Sequence, residues 1–289
     1  MARKIIYLIN PISGTQGKSS LKELISRKTW AQRIDYSILP TNKEGDYSFL
    51  RELIKNDGVT DIIICGGDGT VNAVASALMG ITVNIGIIPM GSGNGLAFTA
   101  GIPKKPGKAL DIIFAGKASF IDGLYINDQF SCMLCGIGFD AQVAHEFARQ
   151  KKRGLQTYIR VSLVNFFKAR PYSFGIRIPD LSIDTKAYFI SIANSNQFGN
   201  NFRIAPKARL NDGLLDIVIV KKMSKFRLPF SVLSQISGIR AKDILYYQVA
   251  ALTIENPEGA PLHIDGDPKA TAPRFIIRVL PHALKLLQP

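Results

Sequence analysis

Asp61-Ile62-Ile63-Ile64-Cys65-Gly66-Gly67-Asp68-Gly69-Thr70 decides the fold. A short isoleucine-rich run that ends in glycines reads as a strand, and the pattern from Thr70 to Met79 reads as the helix that follows it. Working outward, Lys4–Ile9, Arg33–Leu39 and Asn84–Ile88 repeat the strand signal. Helix-like segments at Gly17–Lys28 and Asp46–Asn56 lie between them. Strands separated by helices of this length require right-handed crossovers and a parallel sheet covered on both faces. Residues 1–124 are therefore expected to form an α/β domain.

From about Leu124 strand-like runs dominate: Gln129–Leu134, Tyr172–Ile178, Ala187–Ala193, Leu214–Val220, Ile244–Ile254 and Arg274–Leu280. Helical patterns interrupt them at Asp140–Gln150, Leu155–Ala169 and Lys225–Ser237. Period-two alternation between polar turns predicts an antiparallel β-sandwich over residues 125–280. The C-terminal residues 281–289 are expected to pack back on the first domain. There is no internal repeat and no Ser- or Pro-rich linker, so the two domains are expected to pack closely with a cleft between them.

Composition narrows the function classes. The 289 residues are 46% hydrophobic and 20% charged, enough for a sizeable core and against wholesale disorder. No apolar run approaches the roughly 18 to 20 residues that cross a bilayer, and Ile5–Ile9 is stopped by Asn10 and Pro11. A cytoplasmic protein without a signal peptide is expected. Three cysteines, an odd number, make no disulfide framework. Cys132 and Cys135 form a CxxC without a second pair, and the residues around them read as a buried strand. The net charge of +14 is uneven, with 14 basic and 11 acidic residues up to position 130 and 22 against 11 beyond it. Electrostatics alone draws such a second half to nucleic acid or to an anionic membrane.

Three glycine-rich elements follow strands: Asn10-Pro11-Ile12-Ser13-Gly14, Gly66-Gly67-Asp68-Gly69-Thr70 and Pro89-Met90-Gly91-Ser92-Gly93-Asn94. In an open parallel sheet such loops converge at the carboxyl edge, where bare backbone N–H groups and helix N-termini receive phosphate. Gly17-Lys18-Ser19 is not a Walker A end, because Ile12 stands where its first glycine belongs. Gly91 and Gly93 do not extend to GxGxxG, because position 96 is leucine.

NPISG, GGDGT and PMGSGN, in this order, resemble the catalytic domain of diacylglycerol kinases and the similar sphingosine, ceramide and bacterial lipid kinases. The resemblance continues through Gly136-Ile137-Gly138-Phe139-Asp140, Arg203-Ile204-Ala205-Pro206, Asn211 to Asp216, and Asp265-Gly266-Asp267. It implies an ATP- and Mg2+-dependent kinase with a nucleotide-binding domain and a β-rich lipid-binding domain. By position, ATP would be held by Asn10, Ser13, Gly14, Thr41, Gly66, Gly67, Asp68, Gly69, Thr70, Asn72, Gly91, Ser92, Gly93, Asn94, Arg153 and Asp267.

Asp265 is expected to act as general base, with Asp68 beside the phosphates and magnesium as the rival for that role. Asp212 with the carbonyls of Arg209 and Leu214 would bind a structural magnesium, an all-oxygen set suited to a hard cation. His145, His263 and His282 show no metal-ligand spacing. Lys221, Lys222, Lys225 and Arg227 interleave with Met223, Phe226, Leu228 and Phe230, a pattern that fits an anionic membrane surface or a helix packed on the sandwich.

The family usually has DGE where this chain has Asp265-Gly266-Asp267, and a glutamate where it has Ala73. The resemblance implies a lipid hydroxyl as acceptor, foremost that of diacylglycerol, at a membrane surface, with peripheral membrane association, no nucleic acid and a homodimer left open. A sphingoid-base or ceramide kinase, an NAD-kinase-type enzyme and a catalytically weak regulator are the alternatives.

Overall fold

The computed structural model describes residues 2–10, 18–42, 44–150, 155–199, 203–223 and 243–289. Its contacts divide the chain into two compact units, Met1–Ile121 with His282–Pro289 and Asp122–Pro281. The chain passes between units within one strand (Ala118–Ile126) and returns within another (Arg274–Leu287).

In the first unit, β1 (Lys4–Ile9), β2 (Asp35–Pro40), β3 (Asp61–Gly66) and β4 (Asn84–Pro89) alternate with α1 (Lys18–Ala31), α2 (Phe49–Asp57) and α3 (Asp68–Ala77). All four strands are parallel in the order β2–β1–β3–β4, and Lys285 and Leu286 add a fifth parallel strand beside β4. Every residue of β3 is buried, as a continuous apolar run demands. Strand order reverses at β1, which has β2 on one side and β3 on the other, so the crevice beyond the carboxyl ends of β1 and β3 is the topological switch point. At the opposite end the buried Asp61 carboxylate takes both arms of the Arg3 guanidinium at 2.8 and 3.0 Å. Arg3 also donates to the carbonyls of Ile113 and Phe114 at the end of α5 (Pro106–Ala115), which ties that helix to the sheet.

The second unit is antiparallel. β5 (Ala118–Ile126) and β6 (Gln129–Ser131) form a hairpin. β7 (Leu134–Gly138) leads into α6 (Phe139–Ala148) and α7 (Leu155–Lys168), followed by β8 (Tyr172–Ile178), β9 (Leu181–Ala193), β10 (Leu215–Lys221), β11 (Ile244–Val249), β12 (Ala251–Glu255), β13 (Leu262–Ile264), β14 (Asp267–Lys269) and β15 (Arg274–Leu287). β9 organises this unit. Its polar outer half pairs with β8, and its apolar half, Ala187–Ala193, lies between β7 and β10 and is wholly buried. The core is filled by Leu124, Ile137, Ile190, Ile192, Ile217 and Phe275, among others.

Several elements differ from the sequence reading for physical reasons. Gln129–Leu134 is not one strand, because the backbone N–H groups of Cys132, Met133 and Leu134 turn to the Asp265 carboxylate and break the ladder. Ile244–Ile254 is likewise two strands, divided at Ala250. α2 starts at Phe49 because Asp46 accepts the Ser48 N–H at 2.8 Å in a side-chain turn. α4 (Gly95–Thr99), α5, β5, β13 and β14 had no signal in the pattern. The helical segment Lys225–Ser237 lies outside the described residues.

Candidate active site

The glycine-rich loops are assembled by the first unit. Gly66 ends β3, and Asp68, Gly69, Thr70 and Asn72 open α3, whose N-terminus carries a partial positive charge. The Gly66 carbonyl accepts the Met90 N–H at 2.9 Å, which fixes the start of the second loop. A Cβ on Gly91 would lie 2.6 Å from the Gly67 Cα, and one on Gly67 would lie 3.0 Å from the Gly91 Cα. The two loops therefore touch backbone to backbone, and bare backbone is what approaches phosphate closely. Asn94, at φ +58°, accepts the Gly91 N–H through its side chain at 2.8 Å. Its own N–H donates to Asp68 Oδ2 at 2.7 Å. The Asn10 amide donates to Thr70 Oγ1 at 2.9 Å across the switch point, and the Thr41 N–H donates to the Ile9 carbonyl. Asn10, Thr41, Gly66–Thr70 and Gly91–Asn94 thus belong to neighbouring strand ends of one sheet. Ser13, Gly14 and Arg153 lie outside the described residues.

Asp265 belongs to the second unit. It forms with Gly266 the two-residue turn between β13 and β14, and both turn residues have positive φ, +50° and +83°, as a type I′ hairpin requires. The Asp265 carboxylate is 6% exposed. Oδ1 accepts from Ser131 Oγ at 2.6 Å and from the N–H groups of Leu134 and Met133 at 2.9 and 3.2 Å. Oδ2 takes the Cys132 N–H at 3.2 Å and the weak Cys132 thiol at 3.7 Å, so it is the less committed oxygen. Burial pushes the Asp265 pKa above the ordinary carboxylate value, against the pull of these donors. The role of a turn-forming Asp-Gly and the role of a held carboxylate are here the same residue. Asp267, first residue of β14, is exposed.

Arg209, Asp212 and Leu214 line one cavity of about 560 Å³ together with Lys207 and Gln248. Asp212 Oδ1 accepts the Leu214 N–H at 3.1 Å in the turn before β10. A carboxylate and a set of backbone carbonyls on such a turn fit a hard cation. Next to the cavity Asp216 is fully buried beside the Tyr246 hydroxyl, and burial raises its pKa to about 6. Of the basic and apolar run expected to meet a membrane or the sandwich, Lys221, Lys222 and Met223 are described, while Lys225, Phe226, Arg227, Leu228 and Phe230 lie outside the described residues. Cys132 and Cys135 are buried thiols outside any disulfide, and burial pushes Cys135 well up, so the pair belongs to the core.

Sequence reasoning missed one buried pair. His263 Nε2 lies 3.4 Å from Asp140 Oδ2, and both side chains are nearly inaccessible. Spacing could not reveal it, because the partners are 123 positions apart. The signal present was Asp140 closing the Gly136–Asp140 motif and His263 standing two residues before Asp265.

Residues 4–126 match the family model of the diacylglycerol kinase catalytic domain, and residues 134–288 match that of the YegS C-terminal NAD kinase beta sandwich-like domain. "Probable lipid kinase YegS" of Salmonella arizonae is 31% identical over 264 residues, covering 89% of this chain and 87% of that protein. "Probable lipid kinase YegS-like" of Chromohalobacter salexigens is 28% identical over 253 residues, covering 85% and 81%. Among solved structures, "Crystal structure of a putative diacylglycerol kinase from Bacillus anthracis str. Sterne" superposes with a TM-score of 0.81 at 22% identity, covering 99% of this chain and 97% of that one.

Proposed function

Because the chain belongs to the diacylglycerol kinase catalytic-domain family of lipid kinases, we propose that it transfers the γ-phosphoryl group of ATP to a hydroxyl of diacylglycerol at a membrane surface, with Mg2+ as cofactor. The observation that carries this reading is the joining of the GGDGT and PMGSGN loops, in which Gly67 and Gly91 meet through bare backbone and Asp68 accepts the Asn94 N–H. An alanine at either glycine would fill the cradle.

Bound ATP supplies the phosphoryl group, and a divalent cation neutralises the charge that develops on it. The bare backbone of these loops and the N-terminus of α3 suit the phosphates, and Asp68 at the same place suits the cation. Thr41, Asn10 and Asn72 would complete the nucleotide contacts, with Ser13, Gly14, Arg153 and Asp267 assigned to the same task by position. Asp265 takes the proton of the acceptor hydroxyl. Its Oδ1 is saturated by three donors and orients the group, while Oδ2 is the oxygen that receives the proton. Its near-complete burial excludes water and favours proton uptake. A structural Mg2+ at Asp212, Arg209 and Leu214 would brace the turn before β10.

Transfer of label from γ-radiolabelled ATP to a panel of dioleoylglycerol, sphingosine, ceramide, NAD and no acceptor tests the reading. Label in dioleoylglycerol is the expected result. Label in sphingosine or ceramide alone would move the acceptor to a sphingoid lipid, and label in NAD alone would overturn the lipid assignment.

A further inference from the structure

Asp140 and His263 are buried ionisable groups that the phosphoryl transfer described above does not use. Asp140 opens α6, with Oδ1 accepting the Ala141 N–H at 2.8 Å and Oδ2 aimed at His263 Nε2. Asp140 Oδ2 is buried and accepts no hydrogen bond, so the imidazole 3.4 Å away is its nearest compensation. On the other side of the ring, His263 Nδ1 accepts the Gly266 N–H at 3.2 Å. An Nδ1 that accepts carries no proton, so the ring is the Nε2–H tautomer, which the Asp140 carboxylate 3.4 Å away favours by its charge. The Phe198 ring stands 6.1 Å from the imidazole and closes its surroundings.

The backbone is shaped to let this pair meet. On β7, opposite His263, a Cβ at Gly136 would fall 2.0 Å from Asp140 Oδ2 and 2.4 Å from His263 Nε2. The first glycine and the aspartate of the Gly136–Asp140 motif therefore serve one contact. What the contact orients is the acceptor for Gly266, the second residue of the turn whose first residue is Asp265.

We propose that His263 is a positioning residue for Asp265: Asp140 fixes its tautomer, and its Nδ1 then holds the Gly266 N–H and with it the turn that aims the carboxylate. The inference rests on the reading of Asp265 as the base. The five donors on the carboxylate fix its near end, and the Gly266 N–H fixes the far side of the turn that carries it. Loss of the Nδ1 acceptor releases the Gly266 N–H to solvent and lets the turn relax.

The amide of His263→Asn puts an acceptor near the Nδ1 position, whereas that of His263→Gln reaches the Nε2 position and leaves Gly266 unpaired. With ATP and dioleoylglycerol in detergent micelles, His263→Gln lowers kcat by up to about 10²-fold, the scale of an ångström misplacement, with the KM for ATP unchanged. His263→Asn restores most of that loss. Equal kcat in the two variants, or a change confined to KM, overturns the proposal. Asp265→Asn is assayed beside them. If it keeps full turnover, the base reading fails and the proposal with it. If it is inactive while His263→Gln turns over normally, only the role of His263 fails. Should His263→Gln not fold, the imidazole nitrogen resonances of the wild type decide, because an Nδ1–H tautomer or an imidazolium at the working pH overturns the proposal.

Discussion

Gly91 faces Gly67 with no side chain on either, and that single contact couples two loops that the sequence separates by more than twenty positions. The two positions are not equivalent. A methyl at Gly91 meets backbone at 2.6 Å and must push the loops apart, whereas one at Gly67 meets it at 3.0 Å. Gly91→Ala is therefore expected to weaken ATP binding by about tenfold, equivalent to roughly 1.4 kcal/mol, and Gly67→Ala by less. Calorimetric titration checks the order, and equal, unchanged affinities would detach the contact from the site. Asp265 makes a prediction about pH. Its folded-state pKa is raised and its deprotonated form is the base, so turnover is present above that pKa and is lost as pH falls through it. The acid limb of the kcat profile should lie above the ordinary aspartate value of about 3.9. A limb at or below that value would contradict the assignment. The motif residues were legible in the sequence because each loop announces itself by glycine. The five donors around Asp265 were not, since four come from Ser131 and the N–H groups of Cys132, Met133 and Leu134, and the fifth is a thiol.

At the scale of elements, the short buried strands β1, β3 and β4 were read almost to the residue, because an apolar run covered on both faces has no competing explanation. β9 was half read. Its outer half, Leu181–Lys186, is exposed or half-buried and polar, and only pairing with β8 makes it a strand. β13 and β14 are three residues each, too short for any period, and they exist because the Asp265–Gly266 turn and the ladder to β7 hold them. The end of β7 carries a strict demand on the backbone. Gly138 has φ +105°, and a Cβ there would come within 2.5 Å of the Tyr188 carbonyl. Gly138→Ala should cost at least about 1–3 kcal/mol from the backbone strain alone and lower the thermal midpoint by several degrees. An unchanged midpoint in a differential scanning measurement would mean that β7 and β9 pair more loosely than the register shows.

Over the whole molecule, the positive charge is spread over both units. The α/β unit carries 15 basic and 9 acidic residues and the β-rich unit 21 and 13, so both are basic, at +6 and +8. No helix among the described residues is long and apolar enough to cross a membrane. The net charge of +14 would draw the protein to an anionic membrane within a screening length of about 8 Å at physiological ionic strength. Flotation with phosphatidylglycerol vesicles should fall as salt rises, and equal binding to neutral vesicles would defeat this part of the account. The catalytic claim is independent of it and rests on one carboxylate. Asp265→Asn preserves the shape of the turn and retains an acceptor for Ser131 and Leu134, but it cannot take up a proton. Single-turnover transfer from saturating ATP to dioleoylglycerol by this variant is the most direct measurement. A rate about 10²- to 10⁴-fold below wild type with ATP affinity preserved is the predicted result, and a rate near wild type, with Asp68→Asn inactive though still binding ATP, would contradict the account and move the base to Asp68.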